Sequence, residues 1–327
     1  MKICIVGGTG NISTPIVHQL LADGHEVWLY NRGERGGAPE GVRTIVGDRR
    51  ADRGAFEAAM QREAFEAAID MICFDEEDAA SSLRAFRGVG QFVMCSTVCT
   101  YGLAFDYEPV DESHPLRPVT PYGRGKVAAD TLFLEAHASE DFPVTIIKPS
   151  TTYGPAMGLL RQIAWEFAWI DRVRRGLPIV VSDGGVARHQ FMHVNDASAA
   201  FCGVLANPVC IGKTYNMVTE TPITWADYHR SAMQVIGREV ELVSIPFATL
   251  QAEAISERLP GFDICRTIFG VSNVYTSAAL RRDVPTFHPQ VSLADGQAQV
   301  LAAMDRHGRV PDSSALTWED ALIKRYG

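Results

Sequence analysis

A phenol and an ammonium group stand four residues apart in the stretch 120–126 (TPYGRGK). Thr120 is a suitable helix N-cap, and Pro121 is tolerated at the first helical position because an N–H there has no partner within the helix. Four residues make about one helical turn, so Tyr122 and Lys126 are expected on the same face. A neighbouring cation favours the ionised phenol and should lower its pKa from about 10 towards neutrality. Such a tyrosine could act as the general base on an alcohol.

The same spacing also arises by chance on a solvent-exposed helix, so by itself it is weak evidence. A hydroxyl residue upstream and a dinucleotide site would strengthen the assignment. Thr97 follows the predicted strand Gln91–Cys95, and ligands bind at the carboxyl ends of parallel strands. We expect Thr97 to hold a substrate oxygen beside the phenol. Ser96 and Thr100 compete for that role, and a strand-end cap is the alternative for Thr97.

The beginning of the chain has the pattern of a dinucleotide-binding strand–helix–strand unit. The apolar run Ile3–Val6 is followed by the glycine-rich turn 7–13 (GGTGNIS), a helix with one apolar face and the strand Glu26–Tyr30. Glycines let the main chain approach a pyrophosphate, and the N-terminus of the helix offers free N–H groups. Ser13 stands where a third glycine is usual and is small enough for close packing. This context turns a weak motif into a strong one.

The second strand ends in Asn31-Arg32-Gly33, where an acidic residue would normally bind the ribose hydroxyls of NAD. Asn31 can still hydrogen-bond a ribose and does not repel a 2′-phosphate, and Arg32 or Arg35 could pair with such a phosphate. An ordinary polar loop is the alternative. The pattern favours NADP slightly over NAD.

Acidic residues at two further positions have competing interpretations. Asp48 follows the predicted strand 42–46 and could accept a hydrogen bond from the adenine amino group, or could only form a turn. The run 75–78 (DEED) fits the acidic first turn of a helix, where negative charge complements the helix dipole. A divalent metal site there is the less favoured reading, and no metal is expected.

Composition excludes several classes of function. The 327 residues suffice for one large domain or two smaller ones, and 46% of them are hydrophobic. A net charge of −9 argues against nucleic acid or an anionic membrane as the main partner. Seven cysteines without a C-x-x-C motif indicate reduced thiols in a cytoplasmic protein. No apolar run approaches the ~18 residues of a membrane span, and the N-terminus has no signal-peptide pattern.

Strands and helices alternate up to Lys148, which predicts an α/β fold with a doubly wound parallel sheet of the Rossmann type. The pattern includes a strand over 68–74 and, after Pro155, a longer helix over 159–174. From there the alternation loosens, which predicts a smaller, discontinuous C-terminal substrate lobe. The expected division is a cofactor-binding domain over 1–155 with 190–220 returning to it, and a substrate-binding lobe over 156–189 and 221–327.

Together these motifs resemble the extended short-chain dehydrogenase/reductases, the NAD-dependent epimerase/dehydratase family, over nearly the whole chain. The motifs are specific for the superfamily and not for a substrate. The matching segments are 7–13 (GGTGNIS), 47–48 (GD), 96–97 (ST), 101–102 (YG), 121–126 (PYGRGK), 153–155 (YGP) and 193–196 (HVND).

The resemblance implies roles for individual residues. Thr97, Tyr122 and Lys126 match the catalytic Ser/Thr–Tyr–Lys set, and Arg188 falls where many nucleotide-sugar enzymes hold the substrate phosphate. The substrate is expected to contact Thr97, Thr151 and Arg188. The residues expected to bind NAD(P) are Gly7, Gly10, Asn11, Ile12, Asn31, Arg32, Asp48, Arg49, Cys73, Phe74, Tyr122, Lys126, Pro149 and Thr151.

Two departures from the family pattern narrow the substrate. Thr151 replaces an asparagine that many nucleotide-sugar enzymes use to hold the substrate, which weakens the case for a nucleotide sugar. Val98 stands after Thr97, where dehydratases of the dTDP-glucose type carry an Asp-Glu pair for elimination. The missing acids argue against that subgroup.

The resemblance implies an enzyme that transfers a hydride at a secondary alcohol of a sugar, nucleotide-sugar or nucleoside-like substrate through a keto intermediate. The alternatives are an NADP-dependent dehydrogenase or reductase that releases the ketone or alcohol, and a non-catalytic RNA-binding or cofactor-sensing relative. A homodimer is expected, in which the predicted helices 78–86 and 122–137 pair across a twofold axis. No nucleic acid or membrane partner is expected.

Overall fold

The structure is a computed structural model that describes residues 1–34, 38–256 and 258–327. Its strands in chain order are β1 (Lys2–Val6), β2 (Glu26–Asn31), β3 (Arg43–Val46), β4 (Ala67–Asp70), β5 (Gln91–Cys95), β6 (Val144–Pro149), β7 (Thr151–Tyr153), β8 (Ile179–Ser182), β9 (Arg188–His189), β10 (Phe191–His193), β11 (Lys213–Met217), β12 (Ile223–Thr224) and β13 (Leu242–Ile245). Its α-helices are α1 (Ser13–Ala22), α2 (Arg53–Glu63), α3 (Glu76–Ala85), α4 (Pro121–Glu140), α5 (Trp169–Arg175), α6 (Val194–Val204), α7 (Trp225–Ile236), α8 (Phe247–Ile255), α9 (Ala278–Asp283), α10 (Leu293–Arg306) and α11 (Trp318–Tyr326).

The chain forms two compact units. Unit 1 comprises Met1–Thr152, Val194–Val218 and Tyr275–Pro289, and unit 2 comprises Tyr153–His193, Thr219–Val274 and Gln290–Gly327. The segment Tyr275–Pro289, expected in the second lobe, lies in unit 1. The reason is an ion pair between helix α9 and strand β11, in which Asp283 accepts hydrogen bonds from Lys213 (2.8 Å) and Tyr215 (2.7 Å).

The core of unit 1 is a parallel sheet. Within the described residues it has seven strands in the order β11-β6-β5-β4-β1-β2-β3. Strands β4, β5 and β6 are buried along their whole length, as expected for strands covered on both faces. Helix α1 packs against α6, while α2, α3 and α4 pack side by side. The order reverses between β1 and β4, where a doubly wound sheet forms its ligand crevice. The predicted fold class is confirmed.

Helix α4 begins where the sequence predicts. Thr120 is the N-cap, and its hydroxyl accepts a hydrogen bond from the Gly123 amide at 3.0 Å. Pro121 opens the helix, so its missing N–H leaves no bond unmade. The helix extends for 20 residues to Glu140, three residues beyond the predicted end.

One predicted strand ends earlier, and one predicted helix begins later, than the sequence pattern indicates. Strand β4 stops at Asp70 and does not reach residue 74, because the Asp70 carboxylate accepts the Ile72 amide at 3.0 Å and turns the chain. The helix predicted over 159–174 starts only at Trp169. Main-chain groups before it bond to side chains: the Leu160 amide donates to the Tyr228 hydroxyl, and the Leu159 carbonyl accepts from the Trp169 indole.

Unit 2 is built around buried aromatic rings. Trp225 lies 4.9 Å from Phe191, 5.3 Å from Tyr228 and 4.5 Å from Phe269, measured between ring centroids. Helix α7 carries two of these rings, and Thr224 caps it as predicted. Strand β8 pairs with β13 in parallel, and β9 pairs with β12 in antiparallel orientation. Among the described helices, none has both the length and the apolar character that crossing a membrane requires.

A buried histidine in unit 2 makes the stability of the fold depend on pH. His229 is fully buried, and among the described residues neither of its ring nitrogens has a hydrogen-bond partner. Burial, followed by the Arg161 cation, lowers the pKa of His229 from its ordinary 6.5 to about 3. The unfolded chain therefore takes up a proton below pH 6.5 that the folded chain excludes. The stability from the neutral imidazole is complete above that pH and falls as the pH drops towards 3.

We predict that the free energy of unfolding falls between pH 6.5 and 4.5, with up to about 1.4 kcal/mol per pH unit due to His229. His229→Phe should remove that part of the pH dependence, because phenylalanine does not titrate. The measurement is urea unfolding at several pH values, with exposed His18→Phe as the matched control. An unchanged pH dependence in His229→Phe would contradict the prediction.

Candidate active site

The two hydroxyl groups singled out by sequence lie together in unit 1. Thr97 follows β5 and caps a short 3-10 turn (Val98–Tyr101), its hydroxyl accepting a hydrogen bond from the Cys99 amide at 3.2 Å. Tyr122 is the second residue of α4. The Thr97 side chain lies close enough to this phenol to lower its pKa. A single substrate oxygen could therefore meet both hydroxyls.

Two glycines allow α4 to come this close. A Cβ atom on Gly125 would lie 2.3 Å from the Phe74 carbonyl oxygen, and one on Gly123 would lie 2.9 Å from the Cys99 carbonyl oxygen. Neither distance is possible for a residue with a side chain, so the first turn of α4 is held against the segments that follow β4 and β5. Both glycines are visible in the sequence, but only the structure shows what they approach.

Lys126 is almost completely buried, with 1% of its surface exposed. Its ammonium group donates a hydrogen bond to the Cys95 carbonyl at 2.6 Å. It also lies 5.1 Å from the Phe74 ring centroid and 5.7 Å from that of Tyr122. The cation therefore faces the two aromatic rings, as cations commonly do in proteins.

The predicted effect of Lys126 on the phenol is wrong. Burial raises the pKa of Tyr122 above its ordinary value, and the nearby Cys95 and Cys99 add to the increase, while the nearby Thr97 side chain lowers it. Although 45% of the Tyr122 surface is exposed, loss of water around the hydroxyl is the largest cause of the increase, because burial disfavours the charged phenolate. Tyr122 accordingly holds its proton at neutral pH.

The glycine-rich turn is closed by Ser13. Its hydroxyl donates to the Gly7 carbonyl and accepts from the Gly10 amide, both at 2.8 Å. Gly7 has a φ of 85°, and a Cβ there would lie 2.6 Å from Ile72. The serine in place of a third glycine thus fixes the turn directly.

The start of α1 suits a pyrophosphate. Ile12 occupies the N-cap position, and no described side chain caps the helix. The buried amide of Asn11 has no hydrogen-bond partner on either its nitrogen or its oxygen within the described part of the chain. Uncapped N–H groups and a free amide donor are what a phosphate binds at a helix N-terminus. The residues present therefore fit a dinucleotide.

A cavity of about 440 Å³ in unit 1 extends from this turn. It lies at the carboxyl ends of β1 and β2, where adenosine would bind in a doubly wound sheet. Half of the residues predicted to bind the cofactor line it. They are Gly7, Gly10, Asn31, Arg32, Asp48, Arg49 and Phe74.

Several polar residues of this cavity form hydrogen bonds or ion pairs with other residues of the chain. The Asn31 side-chain oxygen accepts the Gly33 amide at 2.8 Å, and Arg32 pairs with Glu34 at 2.9 Å. Asp48 accepts the Arg50 amide at 2.9 Å, a bond that lowers the pKa of its carboxyl group. One carboxylate oxygen of Asp48 thus stabilises a turn, which was the alternative to a contact with adenine. Arg35 lies outside the described residues.

Arg49 was predicted to bind the cofactor, but its side chain is bonded within the protein. Its guanidinium is 2% exposed and donates to Asp70 at 2.6 Å, to the Asp78 carbonyl at 2.6 Å and to Ser82 at 2.9 Å. Its side chain joins β4 to α3, so a cofactor contact would have to come from its main chain. Asp75 caps α3 by accepting the Asp78 amide at 2.9 Å. In the described ranges, no group of three or more His, Cys, Asp or Glu residues could hold a metal.

The remaining predicted residues are spread over both units. Cys73 and Pro149 are buried, and Thr151, the first residue of β7, is half-buried. Arg188 is exposed on β9 in unit 2, where its amide donates to Ser272 at 3.1 Å. Their contacts with a cofactor or substrate stay predictions.

A buried polar cluster behind Thr97 was not found by sequence. The Asp130 carboxylate accepts a hydrogen bond from Ser96 at 2.7 Å and pairs with Lys148 at 3.3 Å, and Lys148 donates to Thr100 at 3.0 Å. The sequence offered one indication of this cluster, because Asp130 follows Lys126 by one helical turn. Lys148 lies in a buried strand, and nothing in the sequence indicated its partner.

Comparison with known proteins agrees with these features. The model of the NAD dependent epimerase/dehydratase family matches residues 3–217. The 2′-dehydrokanamycin reductase of Streptomyces kanamyceticus is 28% identical over 96% of this chain and 87% of its own length. A chloroplast stem-loop binding protein of 41 kDa from Arabidopsis thaliana is 27% identical over 68% of this chain and 60% of its own.

Solved structures show the same fold. A UDP-glucose-4-epimerase from Stenotrophomonas maltophila with bound NAD has a TM-score of 0.77 at 18% identity, covering 95% of this chain and all of that one. A dTDP-glucose 4,6-dehydratase from Bacillus anthracis in complex with NAD has a TM-score of 0.71 at 16% identity, covering 94% and 97%. The resemblance predicted from the motifs is confirmed. The chain belongs to the NAD dependent epimerase/dehydratase family and is an enzyme of the oxidoreductase or epimerase type.

Proposed function

We propose that the chain catalyses NAD(P)-dependent hydride transfer at a secondary alcohol, or the matching ketone, of a sugar, nucleotide-sugar or nucleoside-like substrate. The observation that carries the proposal is the placement of the Thr97 side chain beside the Tyr122 phenol, whose pKa it lowers, with the buried Lys126 one turn along α4. Two adjacent hydroxyls can bind one substrate oxygen, and the phenol can exchange a proton with it.

Each group has a distinct role in this mechanism. When bound, NAD(P) supplies the hydride acceptor or donor. Tyr122 exchanges the proton of the substrate oxygen, and Thr97 donates a hydrogen bond to that oxygen as its charge changes. Lys126, held by the Cys95 carbonyl at 2.6 Å, is placed to bind a cofactor ribose. Asn11, Ile12 and the turn at Gly7 would bind the pyrophosphate.

The raised pKa of Tyr122 favours one direction of the reaction. Because the phenol keeps its proton, it is suited to act as a general acid that protonates the oxygen of a ketone while hydride adds to the carbon. This supports the reductase alternative, in which the alcohol is released. The extent of the match to a 2′-dehydrokanamycin reductase, 96% of this chain, supports it as well. An epimerase would use the same groups in both directions within one catalytic cycle.

The substrate contacts of Thr151 and Arg188 are part of this proposal, as is a homodimer. Support for the dimer is limited to the side-by-side packing of α3 and α4 in unit 1, which leaves their outer faces for a partner.

The RNA-binding alternative draws support from the chloroplast relative. A net charge of −9 and the retained hydroxyl pair favour an enzyme; RNA binding that weakens steeply with salt would revive the alternative.

The first prediction concerns the phenol. Tyr122→Phe should lower the turnover of a keto-sugar such as 2′-dehydrokanamycin with NADPH by at least about 100-fold, since general acid catalysis contributes ~10²–10⁴-fold. Binding of NADPH, measured by fluorescence, should change by less than about twofold. Tyr326→Phe on α11 is the matched control and should behave as the wild type. Near-normal turnover by Tyr122→Phe on any substrate of the wild-type enzyme would overturn the assignment.

The second prediction concerns the cofactor. We propose a preference for NADP, because Asn31 does not repel a 2′-phosphate and Arg32 is held only by an exposed ion pair with Glu34, which contributes little stability. Arg32→Gln should weaken NADP binding by roughly 10–100-fold, the effect of losing a charge-assisted hydrogen bond, and leave NAD binding unchanged.

The measurement is titration calorimetry with each dinucleotide. Arg62→Gln, which removes a cation at the far end of α2 with 70% of its side chain exposed, is the control. Tighter binding of NAD than of NADP by the wild type, or an equal loss of both in Arg32→Gln, would refute the preference.

A further inference from the structure

The buried cluster of Ser96, Thr100, Asp130 and Lys148 has no part in the mechanism above. None of these residues is more than 3% exposed, and none of them contacts the substrate or the cofactor in that mechanism. They come from four separate places in unit 1. Ser96 follows β5, Thr100 lies in the 3-10 turn after Thr97, Asp130 lies on the third turn of α4, and Lys148 lies near the end of β6.

The bonds within the cluster tie these places to one another. Asp130 accepts from Ser96 at 2.7 Å and lies 3.3 Å from the Lys148 ammonium, which donates to Thr100 at 3.0 Å. Ser96 and Thr100 are on either side of Thr97, so both ends of the turn that carries Thr97 are bonded to the ion pair. Asp130 is on the helix that carries Tyr122. The ion pair thus links the two hydroxyls of the proposed active site.

Stability alone is a poor explanation for the pair. Burying two charges costs several kcal/mol for each ion, and apolar side chains of the same volume are often as stabilising or more so. The pair is also incompletely satisfied, because one oxygen of the Asp130 carboxylate has no hydrogen-bond partner within the described residues. Burial raises the pKa of Asp130 and lowers that of Lys148, which opposes the charged state of both. What the pair adds is directional bonding between β6, α4 and the turn.

Asp130 also continues a column of functional groups along α4. Tyr122, Lys126 and Asp130 are spaced by four residues each and share one face of the helix. The Lys126 ammonium donates to a neutral carbonyl, that of Cys95, and its charge acts on the Asp130 carboxylate one turn along. Asp130 therefore balances two buried cations, one on its own helix and one on β6.

We propose that Asp130 and Lys148 are positioning residues that hold the turn 96–100 against α4 and so keep the Thr97 hydroxyl beside the Tyr122 phenol. This inference rests on the proposed function of those two hydroxyls. A misplacement of about 1 Å at a reacting centre can cost roughly 100-fold in rate. Loss of the pair should therefore lower kcat and leave both KM and dinucleotide binding nearly unchanged.

The test compares Lys148→Met with Thr97→Val and with the double variant. We expect Lys148→Met to lower kcat for 2′-dehydrokanamycin reduction by roughly 10–100-fold, with KM within about twofold. Lys148→Arg should restore most of the loss because it keeps the charge and the donors. In the Thr97→Val background, Lys148→Met should cost less than about twofold, because the group it positions is already absent.

A crystal structure provides a readout that needs no substrate. In Lys148→Met the distance between the Thr97 and Tyr122 hydroxyl oxygens should be about 1 Å longer than in the wild type, a displacement of the size that impairs catalysis. Lys213→Met is the matched control: it removes the cation of the Lys213–Asp283 pair (2.8 Å) on the neighbouring strand β11, where Lys213 is in register with Thr145 and not with Lys148. If Lys148→Met does not fold, Ser96→Ala, which removes a single hydroxyl of the cluster, is measured in the same ways.

The outcomes separate this inference from the proposed function. An impaired Tyr122→Phe together with a normal Lys148→Met would overturn the inference alone, and so would a loss of kcat that is equally large in the Thr97→Val background. Normal turnover by Tyr122→Phe would overturn the proposed function, whereas the hydroxyl distance in Lys148→Met would still decide the positioning role.

Discussion

The close approach of helix α4 to the ends of β4 and β5 is the constraint on which the site depends. Gly123 and Gly125 permit it, since a Cβ on either would meet main-chain oxygen within 2.9 Å. Thr120 and Pro121 start the helix at the place where Tyr122 then reaches Thr97. The doubly wound sheet provides strand ends facing one crevice, but the distance between the two hydroxyls is decided by these glycines and by the ion pair that joins α4 to β6.

The same close approach explains the protonation of the phenol. A hydroxyl held against the end of β5 loses water, and this loss is the largest cause of the increase in the pKa of Tyr122. A protonated tyrosine can donate its proton to a ketone oxygen. Burial in this site therefore favours the acid form of the group that we propose for the proton transfer.

Local chemistry made much of this predictable from sequence. The glycine turn, the Thr120 cap and the position of Thr97 after β5 depend on neighbours in the chain, and the spacing of Tyr122 and Lys126 gave the right helix face. The pKa of Tyr122 could not be predicted, because spacing does not report burial. The Asp130–Lys148 pair was missed for a related reason, because its partners are distant in sequence, whereas the early end of β4 follows from a local bond between Asp70 and Ile72 that the apolar pattern did not indicate. The aromatic run before Trp169 looked helical, but side chains elsewhere in unit 2 bond its main chain.

The central claim is that one substrate oxygen binds both Thr97 and Tyr122. The most direct test is a crystal structure of the enzyme with NADP and the alcohol product. The account predicts that the reacting oxygen lies within about 3.2 Å of both hydroxyls, with its carbon facing the nicotinamide. A product whose reacting oxygen contacts neither Thr97 nor Tyr122 would contradict it.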